Sequence, residues 1–105
     1  MNKPYRYEVM PSALKDIDGI MNSISAQLCA KDAALNLLNE IESSITLACE
    51  NPYAASAVQE PALARKGYRK LIVKNYIVFY IPDDAQGIIH IMRVIYAARD
   101  FMKEL

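Results

Sequence analysis

Gly67-Tyr-Arg-Lys-Leu-Ile-Val-Lys-Asn-Tyr-Ile-Val-Phe-Tyr80, followed by Ile88-Ile-His-Ile-Met-Arg-Val-Ile-Tyr-Ala-Ala-Arg-Asp100, decides the fold. β-branched and aromatic residues dominate both stretches, and such side chains suit a pleated surface. Three strands are expected: Tyr68 to Val73, Tyr76 to Ile81 and Ile88 to Tyr96. The first link, Lys74-Asn75, is two residues long. The second, Pro82-Asp-Asp-Ala-Gln-Gly87, is rich in turn formers, so both read as hairpins and the strands as an antiparallel meander. Cations share these segments, which predicts a positively charged surface on a small sheet.

Upstream, Tyr5-Arg-Tyr-Glu-Val-Met10 alternates apolar and polar side chains and stops at Pro11, as a short strand does. Pro11-Ser-Ala then opens a helix. Ala13, Leu14, Ile17, Ile20, Met21, Ile24 and Leu28 recur at three- and four-residue spacings and form one stripe. After a break at Cys29-Ala-Lys31, residues from Asp32 to Glu50 repeat the pattern with Ala34, Leu37, Leu38, Ile41, Ile45 and Ala48. Asp32 reads as a first-turn or capping residue, and Asn51-Pro52 as a stop. So short a link predicts an antiparallel helical hairpin with a common apolar face. From Pro52 to Lys66 no periodicity is visible, and a surface loop is expected. Ala98 to Leu105 reads as a short C-terminal helix. The sum is an α+β fold: an N-terminal strand, an antiparallel two-helix hairpin, a three-stranded antiparallel meander and a short C-terminal helix, in two layers with the helices on one face. At 105 residues, the chain 1–105 is expected to be a single domain.

Twelve Lys and Arg balance twelve Asp and Glu, but unevenly along the chain. Residues 1–64 carry four basic and eight acidic side chains, and residues 65–105 carry eight basic and four acidic. A −4 half followed by a +4 half suits a polyanion or an acidic protein partner on the C-terminal half. No apolar run reaches the length of a membrane span and the N-terminus shows no apolar signal region, so a cytoplasmic protein without membrane attachment is expected. Cys29 and Cys49 lie twenty apart with no second Cys or His near either, which supports neither a metal site nor a disulfide. Both read as small hydrophobes, and no cofactor is expected.

The motifs Tyr68-Arg-Lys-Leu71, Asn75-Tyr-x-Val-x-Tyr80 and Ile91-x-Arg-Val-x-Tyr-x-x-Arg-Asp100, in this order of elements, resemble the RelE/ParE superfamily of bacterial toxins from type II toxin-antitoxin modules. The resemblance covers almost the whole chain and implies one of two activities: ribosome-dependent cleavage of messenger RNA, or inhibition of DNA gyrase. RNA cleavage by the 2′-hydroxyl needs a proton acceptor, a proton donor for the leaving oxygen, and cations on the phosphate. On the resemblance, Arg69, Tyr96, Arg99 and Glu60 are the candidate catalytic residues. Arg65, Lys66, Lys70, Lys74 and Arg93 are the candidate nucleic-acid contacts. Arg69 and Lys70 point to opposite faces of a regular strand, so at most one of them faces any given site.

The chain departs from the ribonucleolytic pattern at two places. Ile77 stands where many members, in both mechanistic groups, carry Arg, and Ile95 where some ribonucleases of the superfamily carry His; Ala97 and Ala98 stand where others carry a cation. Losing one such electrostatic group costs roughly a hundred- to thousandfold in rate. A binding-only toxin directed at gyrase, or a homologue that only binds its antitoxin, would explain the departures. His90, in alternation with Met92, Val94 and Tyr96, reads as a packing residue. All readings imply a cognate acidic antitoxin that folds along the toxin, giving a toxin-antitoxin hetero-oligomer.

Overall fold

The computed structural model describes residues 3–28, 30–98 and 105. β1 (Arg6–Val9) leads into α1 (Pro11–Leu28) and α2 (Lys31–Glu50), then α3 (Pro61–Arg65), β2 (Arg69–Val73), β3 (Tyr76–Asp83) and β4 (Ile88–Tyr96). The strands form one sheet in the order β1-β4-β3-β2. β2, β3 and β4 are the expected antiparallel meander, while β1 joins β4 in parallel, Arg6 opposite Ile88 through Val9 opposite Ile91. The sheet is therefore mixed. Cys29 and most of the expected C-terminal helix lie outside the described residues. Among the described residues, no helix is long and apolar enough to cross a membrane.

α1 starts where its sequence dictates, because proline at the first helical position needs no N–H partner and presets φ; Met10 O accepts the first bond, from Leu14 N. Ala13 is fully buried, and Ile17, Ile20, Met21 and Ile24 pack beside it. Leu14, at the border of the stripe, is 53% exposed and does not join the core. In α2, Ala34, Leu37, Ile41, Ile45, Ala48 and Cys49 are buried, whereas Leu38 stays at the surface. Asp32 sits in the first turn. The N-cap is Ala30, with no side-chain cap, so Asp32 acts through the helix dipole rather than by capping. The two helices lay their common face on Val73, Val78, Tyr80, Ile89, Ile91 and Val94 of the sheet.

The segment from Pro52 to Lys66 corrects the loop expectation. Pro61 opens the five-residue α3, and Val58 and Leu63 are buried against Tyr68, Ile77, Phe79 and Ile95 on the sheet face opposite the hairpin. An isolated bridge joins Ala57 to Arg69, with Val58 N donating to Tyr68 O and Lys70 N to Ser56 O. A single turn of helix offers too few positions for periodicity to register. Leu105 also packs on this second face, so apolar residues cover both sides of the sheet.

β3 runs two residues past Ile81. Pro82 is tolerated because β2 pairs no further than Tyr80, so beyond it the β2 side of β3 is open and no ladder bond is lost there. In β4 the register steps from Phe79 opposite Arg93 to Tyr80 opposite Ile91, a bulge that leaves Met92 unopposed. The extra residue rephases the strand. Ile89 and Ile91 before it and Val94 after it all face the helical hairpin, while Met92 and Ile95 face α3. The expected alternation of His90, Met92, Val94 and Tyr96 on one face is thereby broken.

Candidate functional site

The expected site residues divide between the two faces of the sheet. β2 brings Arg69 opposite Tyr80, on the hairpin side, and Lys70 opposite Phe79, on the α3 side. Arg69 is engaged with the chain itself: Nη2 donates to Ala55 O at 2.7 Å and Tyr53 O at 3.1 Å, and Nε donates to Ala55 O at 3.2 Å. Its guanidinium also lies 5.0 Å from the centre of the Tyr53 ring, a cation–π contact. Beneath it, buried Tyr80 donates its hydroxyl to Pro52 O, and burial pushes the Tyr80 pKa up. The guanidinium and the phenol together fasten the chain after α2 to the sheet.

That fastening continues to Asp84. Its carboxylate accepts hydrogen bonds from Tyr5 at 2.7 Å and from Tyr53 at 2.8 Å. The two phenols hold the Asp84 carboxyl below the usual range, and the Asp84 bond drives Tyr5 up to about 12 and Tyr53 upward as well. The approach to β1, the segment after α2 and the β3–β4 turn are thus tied at one point. Sequence reasoning missed this cluster, since positions 5, 53 and 84 belong to separate segments that share no spacing.

Arg93 is likewise occupied. It forms a two-pronged pair with Asp16 of α1, Nε to Oδ2 at 2.7 Å and Nη2 to Oδ1 at 3.0 Å, and Val94 N donates to the same carboxylate at 2.9 Å. Both side chains are largely buried, so the pair fixes α1 over the bulge of β4. Lys74 lies in the β2–β3 turn at φ +53°, 3.4 Å from Glu40 of α2, and both are exposed.

Tyr96 ends β4 and packs edge-to-face on Tyr76 with ring centres 5.7 Å apart; 46% of it remains exposed. It lines a cleft against Lys15, Gly19 and Ser23 of α1. Tyr76 pairs with Tyr96 and Tyr80 with Arg69, so strand rise and spacing put the Cα atoms of Arg69 and Tyr96 roughly 16 Å apart. Glu60 is the N-cap of α3, its carbonyl accepting from Leu63 N and Ala64 N, and its side chain caps nothing. Arg65 and Lys66 are exposed at the end of α3, while Arg99 lies outside the described residues. Glu60, Arg65, Lys66 and Lys70 therefore share the α3 side, apart from Arg69 and Tyr96.

Ile77 and Ile95 are direct cross-strand partners on that same side, 7% and 2% exposed, in a cluster with Val58, Leu63 and Phe79. An Arg or His at either place would have to displace this packing. His90 is half-buried, with Nε2 3.6 Å from Asp83 and Nδ1 enclosed without a partner. Cys49 is buried at the end of α2, and burial pushes its thiol pKa up. Among the described residues, no group of His, Cys, Asp and Glu could hold a metal ion.

Comparison with known proteins agrees with this fold. The family model described as ParE toxin of type II toxin-antitoxin system, parDE, matches residues 7–101. The chain is similar to a structure described as the chromosomal ParDE toxin-antitoxin system from P. aeruginosa, with a TM-score of 0.70 and 17% identity over 88% of this chain and 95% of that one. It is also similar to the toxin-antitoxin complex RelBE2 from Mycobacterium tuberculosis, with a TM-score of 0.61 and 17% identity over 90% of this chain and 99% of that one. No curated protein matches.

Proposed function

The chain belongs to the ParE family of toxins from type II toxin-antitoxin systems, and from that premise we propose that it arrests growth by binding DNA gyrase, with no chemistry of its own. The observation that carries this reading is the buried Ile77–Ile95 pair. Ile95 stands where some ribonucleases of the superfamily carry histidine, and it is buried against Ile77 under α3, so no proton carrier is offered from that position. The remaining cations do not compensate. Arg69 and Arg93 serve the chain's own carbonyls and carboxylate, so neither is poised for a phosphate.

A binding toxin needs surface and charge rather than a constellation of proton carriers. Arg65, Lys66 and Lys70 supply that charge on the α3 side, where they suit an acidic partner strand or helix. The cognate antitoxin is expected to be such a partner, neutralising the toxin in a hetero-oligomer in the cytoplasm. Residues 1–105 act in this reading as one toxin domain.

Induced expression without the antitoxin, with pulse labelling of DNA and protein synthesis during the first minutes of arrest, tests the reading. An early fall in DNA synthesis over an intact message pool is expected. New 5′ ends within translated messages would establish mRNA cleavage instead, with Tyr96 as the first residue to mutate. Growth without arrest would mark a homologue that only binds its antitoxin.

A further inference from the structure

The mixed sheet has two edges of opposite character. β2 is one of them. Its outward bonds are taken up to Lys70 by the bridge to Ser56 and Val58, and past that point Ile72 is 63% exposed between Lys70 and Lys74. Antiparallel self-pairing about Ile72 would set Lys70 against Lys74, and like charges directly opposite repel. This edge is guarded against its own copy.

β1 is the other edge, and its charges run the opposite way. Arg6 N donates to Gly87 O at 2.9 Å and Met10 N to Ile91 O at 3.0 Å, so Arg6, Glu8 and Met10 bond inward to β4. By alternation the N–H and C=O of Tyr7 point outward, and among the described residues nothing takes them. About Tyr7 the segment is self-complementary: Arg6 falls opposite Glu8, and Glu8 opposite Arg6. Both are exposed, both lie on the sheet face away from the hairpin, and among the described residues neither has an ion-pair partner.

We propose that β1 is a docking edge for a second copy of this chain, the two β1 strands running antiparallel about a two-fold axis at Tyr7. The Tyr7 pair exchanges both backbone bonds, and the flanking Arg6–Glu8 pairs sit at the closer, non-hydrogen-bonded positions where side chains meet best. On the hairpin side, Tyr7 borders a shallow cleft formed with Tyr5, Thr46 and Cys49, which receives the partner's Tyr7 ring. Tyr5 N is already bonded to Cys49 O at 2.8 Å, which limits the length of the pairing and makes the dimer a weak, reversible one.

Sedimentation velocity on the purified full chain, over a concentration series reaching the high micromolar range, tests this. A monomer–dimer equilibrium is expected. Arg6→Glu and Glu8→Arg should each weaken it about thirtyfold, because each turns two cross-strand attractions into repulsions. Mixing the two single variants, or combining both changes in one chain, should restore it. Both positions are exposed, and circular dichroism verifies that the variants fold. A monomer throughout the series, or a dimer indifferent to both reversals, overturns the proposal, as does failure of the mixed variants to associate. None of these outcomes depends on whether gyrase is the target.

Discussion

Replacing Arg69 with alanine separates a structural cation from a functional one. Its guanidinium makes three hydrogen bonds to Tyr53 O and Ala55 O and stacks on the Tyr53 ring. Leaving the part-buried Ala55 carbonyl without a partner costs about 1–2 kcal/mol, and the loss of the charge-assisted bond to exposed Tyr53 O adds about 0.5. The exposed cation–π contact contributes about 0.5 kcal/mol more. The sum, about 2–3 kcal/mol, corresponds to a fall in Tm of about 10–15 °C for a domain of this size. Thermal unfolding followed by circular dichroism measures it. Arg69→Lys sharpens the test, because lysine keeps the charge but loses the planar fork. Positioning of the 52–57 segment requires Lys to lose most of the same stability, with toxicity falling in both variants only as folded protein is lost. If Arg69→Ala unfolds at the wild-type temperature yet abolishes growth arrest, and Lys rescues arrest, the structural assignment is refuted and Arg69 belongs to a target-binding site.

Three other outcomes follow from the same geometry. Ile77→Arg forces a charge into the cluster of Val58, Leu63, Phe79 and Ile95, and should destabilise by more than about 3 kcal/mol or prevent folding; a soluble variant with wild-type Tm would show that α3 yields and the position is free for a catalytic arginine. Asp16→Asn breaks the pair with Arg93 and should cost about 2–3 kcal/mol in urea unfolding, with Asp16→Asn/Arg93→Met recovering part of the loss if the cost comes from a largely buried charge that has lost its carboxylate. At alkaline pH, Tyr5, raised to about 12 chiefly by its bond to Asp84, contributes stability that is complete below about pH 10 and is lost as pH rises through about 12. Asp84, held low by the two phenols, acts at the other end: its contribution is present above its ordinary range and is lost as acid protonates it. Tyr5→Phe should flatten the alkaline limb of Tm against pH, and an unchanged limb would count against the clamp.

Much of the architecture is legible without coordinates because it rests on local periodicity. α1 begins at Pro11 and α2 stops before Asn51-Pro52 for steric reasons that the sequence displays, and the β2–β3 turn falls at Lys74-Asn75 as its length requires. The bulge at Met92 escaped because one extra residue in nine leaves the strand pattern intact while reversing which face it serves. α3 escaped because five residues carry no period. The internal partners of the cations are illegible in the sequence for a further reason. Spacing shows that Arg69 and Arg93 lie on strands, but not that one would reach back 14 positions to a carbonyl and the other 77 positions to Asp16. Whether an arginine serves a ligand or the chain depends on which acceptors the fold brings near it, and those come from distant segments.

The parallel pairing of β1 with β4 has a kinetic meaning. Arg6 and Ile88, register partners 82 positions apart, can meet only after the intervening chain has collapsed, and β1 must dock on the open edge of β4 to complete the sheet. The helical hairpin and the β2–β3–β4 meander can form from local contacts, whereas the pairing of β1 with β4 depends on loop closure and comes last. Until β1 docks, the outer edge of β4 from Ile88 to Ile91 lies open. That apolar edge is where premature self-association would begin, and a chaperoning partner that shields β4 until β1 docks would raise the yield of folded protein without changing its final stability.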